Sequence, residues 1–128
     1  MHKVFLKNQD ILEKKTPYII AEAGVNHEGS IEKAFDLISC ASDSGAHAIK
    51  FQTYKADSLA SIHSPAYWDT DMELSKNQHE LFKKYDSFNG EDYKKLYDHC
   101  IKKNIDFLST PFDIKSLDFL DPLLNFYK

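Results

Sequence analysis

Three short apolar runs in this chain end in polar residues: positions 18–22, 48–53 and 105–110. Between the first two, Ile31, Ala34, Phe35, Ile38 and Ala41 recur at helical spacing, with Ser30 as a candidate N-cap and Gly45 just past the end. Between the second and third, Tyr93, Leu96, Tyr97, Cys100 and Ile101 repeat the pattern behind Asn89-Gly90. Strands alternating with helices predict βα units and a parallel sheet, its strands (18–23, 48–54 and 105–110) buried on both faces. Asp113 can cap a third helix reaching Leu120, with Ile114, Leu117 and Leu120 on its inner face; Pro122 stops it. Residues 124–128 then read as the start of a fourth strand.

Two segments fall outside this rhythm. Residues 2–14 suggest a small hairpin, with strands at 3–6 and 11–14 around a turn at 8–10. Residues 55–88 carry Tyr67, Trp68, Asp69 and Asp71 and one helical stretch, 76–85. An excursion of that length is read as an elaborated strand-to-helix loop over the strand ends.

Composition narrows the class. A chain of 128 residues with 42% apolar content suits one domain with a real core. A formal charge of −4 offers no basic face for nucleic acid, and no apolar stretch is long enough to predict a membrane span. The first residues do not resemble a signal peptide, and Cys40 and Cys100 both fall on predicted inner helix faces as buried thiols. These features predict a soluble cytoplasmic protein.

The candidate chemistry lies at the strand ends, where β/α proteins place their sites. Lys50 and Gln52 alternate onto one face of their strand, leaving Ile49 and Phe51 for the helix-covered face. A lysine so placed needs an anion: a substrate phosphate or carboxylate, or a structural partner such as Glu22. Glu22 is either that counter-ion, a general acid or base, or an orienter of a substrate hydroxyl. Thr110 can offer a hydroxyl to a substrate or satisfy local backbone, and Ser109 alternates to the opposite face. Residues 24–29 form a glycine-bearing loop before a helix, suited to an anion but lacking nucleotide-loop spacings. His27 reads as a loop hydrogen-bonder, and the other histidines show no metal-ligand spacing.

At these residues the chain resembles the sialic acid synthase family. The resemblance rests on Ile19-Ile20-Ala21-Glu22, Gly24, Asn26-His27 and Gly29 in the first unit, Lys50-Phe51-Gln52-Thr53 on the second strand, and Ser109-Thr110-Pro111-Phe112-Asp113 after the third. It implies an α/β fold of the (β/α)8 TIM-barrel class, of which this chain would hold the first half, about four strands. Residues 1–16 would be a hairpin extension and 17–128 the β/α units, without the C-terminal half or the family's antifreeze-like domain. The implied reaction condenses phosphoenolpyruvate with an N-acetylated hexosamine aldehyde, giving a nine-carbon sialic-type acid and phosphate. The enolpyruvate C3 attacks the aldehyde carbon, water adds at C2, and phosphate leaves with C–O cleavage.

By the same resemblance Lys50 and Lys128 would bind phosphoenolpyruvate, Glu22 and Gln52 would hold the sugar, and Thr110 would line the site. A divalent metal, manganese or magnesium, would activate the aldehyde, with its ligands outside this chain. The chain alone is therefore expected to show little or no turnover. Open sheet edges point to self-association, to pairing with a separately encoded second half, or to poor folding. Two other functional readings stay open: a non-catalytic remnant that binds a phosphorylated ligand, and an aldolase-type sugar-acid synthase.

Overall fold

Local capping sets where the helices begin. In the computed structural model, which describes residues 5–6, 9–10, 12–13 and 16–128, a short antiparallel pair, β1 (Phe5–Leu6) and β2 (Gln9–Asp10), precedes β3 (Ile20–Gly24) and α1 (Ile31–Asp43). The chain continues through β4 (Ala48–Thr53), α2 (Ala56–Leu59), α3 (Gln78–Tyr85), α4 (Gly90–Lys102), β5 (Asp106–Pro111) and α5 (Ile114–Leu120). Ser30 Oγ accepts the Lys33 N–H at 3.2 Å to start α1, and Gly45 takes a φ of +82° past its end. Asn89 and Asp92 form a reciprocal capping box on α4, and Asp113 accepts the Ser116 N–H at 2.8 Å on α5.

The three longer strands form a parallel sheet in the order β3-β4-β5. α1 packs on β3, β4 and α4, while α4 and α5 pack on β5. Between sheet and helices lies the core: Ala34, Ile38 and Ala41 from α1, Ile49 and Phe51 from β4, Phe107 from β5, Leu96 and Cys100 from α4, and Leu120 from α5. Burying each larger aliphatic or aromatic side chain contributes about 1.5–3 kcal/mol. All of these side chains lie on one face of the sheet. The other face carries Ile20, Glu22, Lys50 and Leu108, and no helix of the described residues covers it.

Several sequence expectations need correction. The second hairpin strand is Gln9–Asp10, inside the predicted turn, because Leu6 pairs with Gln9; Lys3, Val4, Ile11 and Lys14 of the predicted strands lie outside the described residues. The first long strand is not buried on both faces, since Ile20 is exposed on its open side. Cys40 is exposed, whereas Cys100 is buried; two residues on from Ile38, Cys40 sits about 200° around the helix. Ile101 faces outward beside the buried Cys100.

α5 is also rotated from its predicted setting. It rests on Ser116 and Leu120, with Phe119 packed against the core, and Ile114 is 72% exposed. Residues 124–128 form no strand. A 3-10 turn at Asp121–Leu123 commits the Leu124 N–H to Leu120 C=O at 3.1 Å, and Tyr127 Oη donates to the Asp121 carboxylate. The tail turns back toward the sheet, with Phe126 edge-on to Tyr18 at 6.1 Å.

The excursion after β4 holds two helices rather than the one predicted, α2 and α3, with an isolated bridge between Pro65 and Asn77. Its two ends are tied together. Lys55 Nζ donates to the carbonyls of Asp86 and Phe88, and Asp86 Oδ2 accepts the Ala56 N–H at 2.9 Å.

The corrected α5 setting predicts a contrast in urea unfolding. Ile114→Ala should change stability by no more than about 0.5 kcal/mol. Leu120→Ala should cost about 2–5 kcal/mol. Equal losses would restore the face read from spacing.

Candidate functional site

Alternation along β4 sends Lys50 and Gln52 to the open face. Register then supplies their neighbours, with Glu22 of β3 on one side of Lys50 and Leu108 of β5 on the other. The Lys50 ammonium lies 2.5 Å from Glu22 Oε2 and donates to Thr110 Oγ1 at 3.4 Å. The lysine side chain is 10% exposed and the glutamate 53%. The ammonium is thus held inside the protein by a carboxylate that still meets solvent.

Beyond Glu22 the strand is irregular. The register slips between Glu22 and Gly24, so two β3 residues span one on β4. Gly24 adopts a φ of +54°, and a Cβ there would lie 3.6 Å from Glu22 Oε1 and 3.9 Å from Gln52 Cδ. Both side chains thus lie beside Gly24, whose left-handed backbone favours a glycine there.

A cleft of about 380 Å³ opens on this face. Glu22, Lys50 and Lys128 line it with Ile20, Leu108 and Phe126. Of the five residues singled out from sequence, the structure joins Glu22, Lys50 and Thr110 by direct contacts, and Glu22, Lys50 and Lys128 line the cleft, whereas Thr110 does not. Lys128 arrives on the returning tail and not on a fourth strand. Gln52 stands next to Gly24, outside the lining of this cleft.

Supporting contacts behind the site were not read from sequence. On the helix-covered side, Thr53 and Ser109 share a buried hydroxyl hydrogen bond of 2.6 Å, and Tyr93 Oη donates to Gln52 C=O at 2.9 Å. Burial pushes the Tyr93 phenol up to about 12, so it remains a donor through the neutral range. Thr53 and Ser109 could be found as small polar residues alternating onto the apolar face of adjacent strands. Tyr93 shows only as a helix-face aromatic.

A second cleft, also about 380 Å³, lies on the helix side among Tyr54, Phe88, Tyr93 and Phe119. It contains none of the five residues, so cavity size alone does not locate the chemistry. Among the described residues no group of three or more His, Cys, Asp or Glu side chains is placed to hold a metal ion. Among the described residues, the one carboxylate side chain lining the open-face cleft, Glu22, is committed to Lys50. This donor set does not fit a resident metal. No helix among the described residues is long and apolar enough to cross a membrane.

The family model described as the NeuB family matches residues 37–128. This chain belongs to the NeuB family. Over 107 residues the NeuB-family chain is 41% identical to the N,N'-diacetyllegionaminic acid synthase of Legionella pneumophila, covering 82% of this chain and 30% of that protein. It is 38% identical over 109 residues to the N-acetylneuraminate-9-phosphate synthase of Drosophila melanogaster, covering 83% and 28%. Among solved structures it resembles the N-acetylneuraminic acid synthetase of Leptospira borgpetersenii, crystallised with citrate. The TM-score is 0.71 at 31% identity, over 95% of this chain and 38% of that one. The chain spans about a third of the length of the relatives it matches.

The Thr53–Ser109 pair gives a test of what supports the site. Ser109→Ala should leave the Thr53 hydroxyl buried without that partner and cost about 1–3 kcal/mol. Adding Thr53→Val should cost less than the sum of the single changes in thermal or urea unfolding. Strict additivity would show the two hydroxyls to be uncoupled.

Proposed function

We propose that this chain forms the phosphoenolpyruvate-binding part of a sialic-type acid synthase, built on the first strands of a (β/α)8 barrel whose interior is the open face of the sheet. The observation that carries the reading is the buried Lys50 ammonium opening into a cleft that a second lysine also lines. Two ammonium groups against one carboxylate leave a positive balance, which suits a small polyanion.

In this reading phosphoenolpyruvate enters the cleft with its phosphate toward Lys50 and Lys128. Lys50 keeps its hydrogen bond to Thr110, which orients the ammonium while an anion joins it. Glu22 and Gln52, both beside Gly24, receive the hydroxyl and amide groups of an N-acetylated amino sugar. The enolpyruvate C3 then attacks the sugar aldehyde, water adds at C2, and phosphate leaves with C–O cleavage. In this chain Lys50 and Lys128 would offset the charge gathering on the departing phosphate. The manganese or magnesium expected for the family has no fitting ligand set here, and no step is assigned to it.

The names of the relatives support a sugar-acid product but differ over which sugar. Since the chain spans about a third of those proteins, we assign it the anion-binding part of the reaction and not the whole. The open face and sheet edges would be completed by further strands, from the same protein or from a partner chain. Free thiols at Cys40 and Cys100 agree with a cytoplasmic setting.

Calorimetric titration of phosphoenolpyruvate into the 128-residue chain tests this reading. Lys50→Ala should weaken binding about 10- to 150-fold, the loss of one charge-assisted contact. Lys128→Ala should weaken it in the same direction, and inorganic phosphate should bind less tightly than phosphoenolpyruvate. Unchanged affinity in Lys50→Ala would make the lysine structural and overturn the assignment.

A further inference from the structure

His27 takes no part in the proposed chemistry, yet its ring is fully buried. It stacks on Phe88 with centroids 4.1 Å apart and planes 13° from parallel, and stands 6.1 Å from Phe51. Its Nδ1 accepts the Gly29 N–H at 3.1 Å. The ring proton therefore sits on Nε2, which has no hydrogen-bond partner among the described residues.

The neighbours of His27 define a junction. Gly29 has a φ of +77°, and a Cβ there would come within 2.8 Å of Ser87 Oγ. The loop after β3 is thus pressed against Ser87 and Phe88, the foot of the long excursion. Lys55 holds the same foot by donating to Asp86 and Phe88 carbonyls.

We propose that His27 is a latch that closes only when neutral, locking the loop after β3 to the foot of the excursion, and that protonation opens this junction. A second ring proton would go on Nδ1, where the Gly29 N–H already points, replacing an acceptor with a donor. The resulting imidazolium would be buried against two phenylalanines with no counter-ion. Attraction to the Phe88 face offsets only part of that desolvation cost.

The charged groups on the surrounding elements are otherwise engaged. Glu28 of the same loop pairs with Lys33 of α1 in solvent. Lys55 and Asp86 at the foot are bonded to backbone groups. Asp92 of α4 serves the capping box and Lys95. On β4, Lys50 is paired with Glu22. None of these reaches Nε2.

Burial lowers the His27 pKa from its ordinary 6.5. The folded chain thus prefers the neutral ring. Its contribution is complete above the unfolded value and is lost as pH falls from there through the folded value. The opening equilibrium should rise by at most about tenfold per pH unit in that window, the limit for one proton. His99 is also lowered, by desolvation and then by Lys103 and Lys102. It stacks on Phe35 of α1 at 4.4 Å and is removed as a contributor by His99→Gln. The inference goes beyond the synthase reading and holds whether or not the cleft binds phosphoenolpyruvate.

The test is NMR on the full chain in the His99→Gln background, from pH 7.5 to 5. Long-range ¹H–¹⁵N spectra should show His27 with its proton on Nε2 and titrating below 6.5. Amide-exchange protection at Gly29 and Phe88, corrected for intrinsic rates, should fall by up to about tenfold per pH unit between the unfolded and folded values of the ring, while Leu96 holds. His27→Phe, which keeps a stacked ring without a titrating group, should flatten that dependence. The direct titration decides the matter even if this variant fails to fold. A proton on Nδ1, a titration at or above 6.5, or protection at Gly29 and Phe88 that ignores pH would overturn the proposal.

Discussion

The ammonium of Lys50 constrains everything around it. β4 has to bury Ile49 and Phe51 beneath helices, and alternation then forces Lys50 onto the opposite face. An ammonium taken out of water costs several kcal/mol unless a negative partner meets it. The pairing of Glu22 with Lys50 in the parallel ladder provides one at 2.5 Å. Sliding β4 by one residue would drive the lysine into the helix layer and turn two core side chains outward. Core packing and charge pairing therefore select the same register.

That register makes the pair asymmetric. The lysine stem is enclosed by the sheet while the carboxylate remains about half in solvent. In the proposed reading a ligand would displace Glu22, which water already meets, and would approach the ammonium through the cleft. Gly24, with its left-handed backbone at the register slip, stands beside both Glu22 and Gln52. Tyr93 holds the Gln52 carbonyl from behind, so the strand is fixed where it meets the site.

Much of this was legible because it depends on period. The three strands, α1 and α4, and the caps at Ser30 and Asp113 follow from spacing and from side chains that satisfy orphan backbone donors, whereas the capping box of Asn89 was not read from sequence. The Glu22–Lys50 contact was one of two readings of the lysine, and the structure shows it as an ion pair. What escaped depends on neighbours distant in sequence. Cys40 lies beside apolar positions on a linear reading, yet α1 approaches the sheet through Ala34, Ile38 and Ala41, so the thiol turns outward. Ile114 belongs to a short helix whose rotation is set by Phe119 and Leu120 meeting the core. Residues 124–128 have the composition of a strand, but their first backbone donor is spent on the turn around Pro122.

Two lysines five positions apart show why residue type alone did not define the site. Lys50 meets a carboxylate, and in the proposed function an incoming phosphate would share or replace that partner because both are anions. Lys55 donates to the carbonyls of Asp86 and Phe88, just past the C-terminal end of α3. Those carbonyls carry the partial negative charge of a helix terminus and a loop foot, which a mobile anion does not reproduce. Moving Lys55 to a ligand would leave them short of a donor and loosen the excursion. The chemical part of a lysine here follows from its acceptor: Lys50 meets a half-exposed carboxylate, which the proposed function treats as exchangeable for a ligand anion, and fixed backbone oxygens make Lys55 a strut.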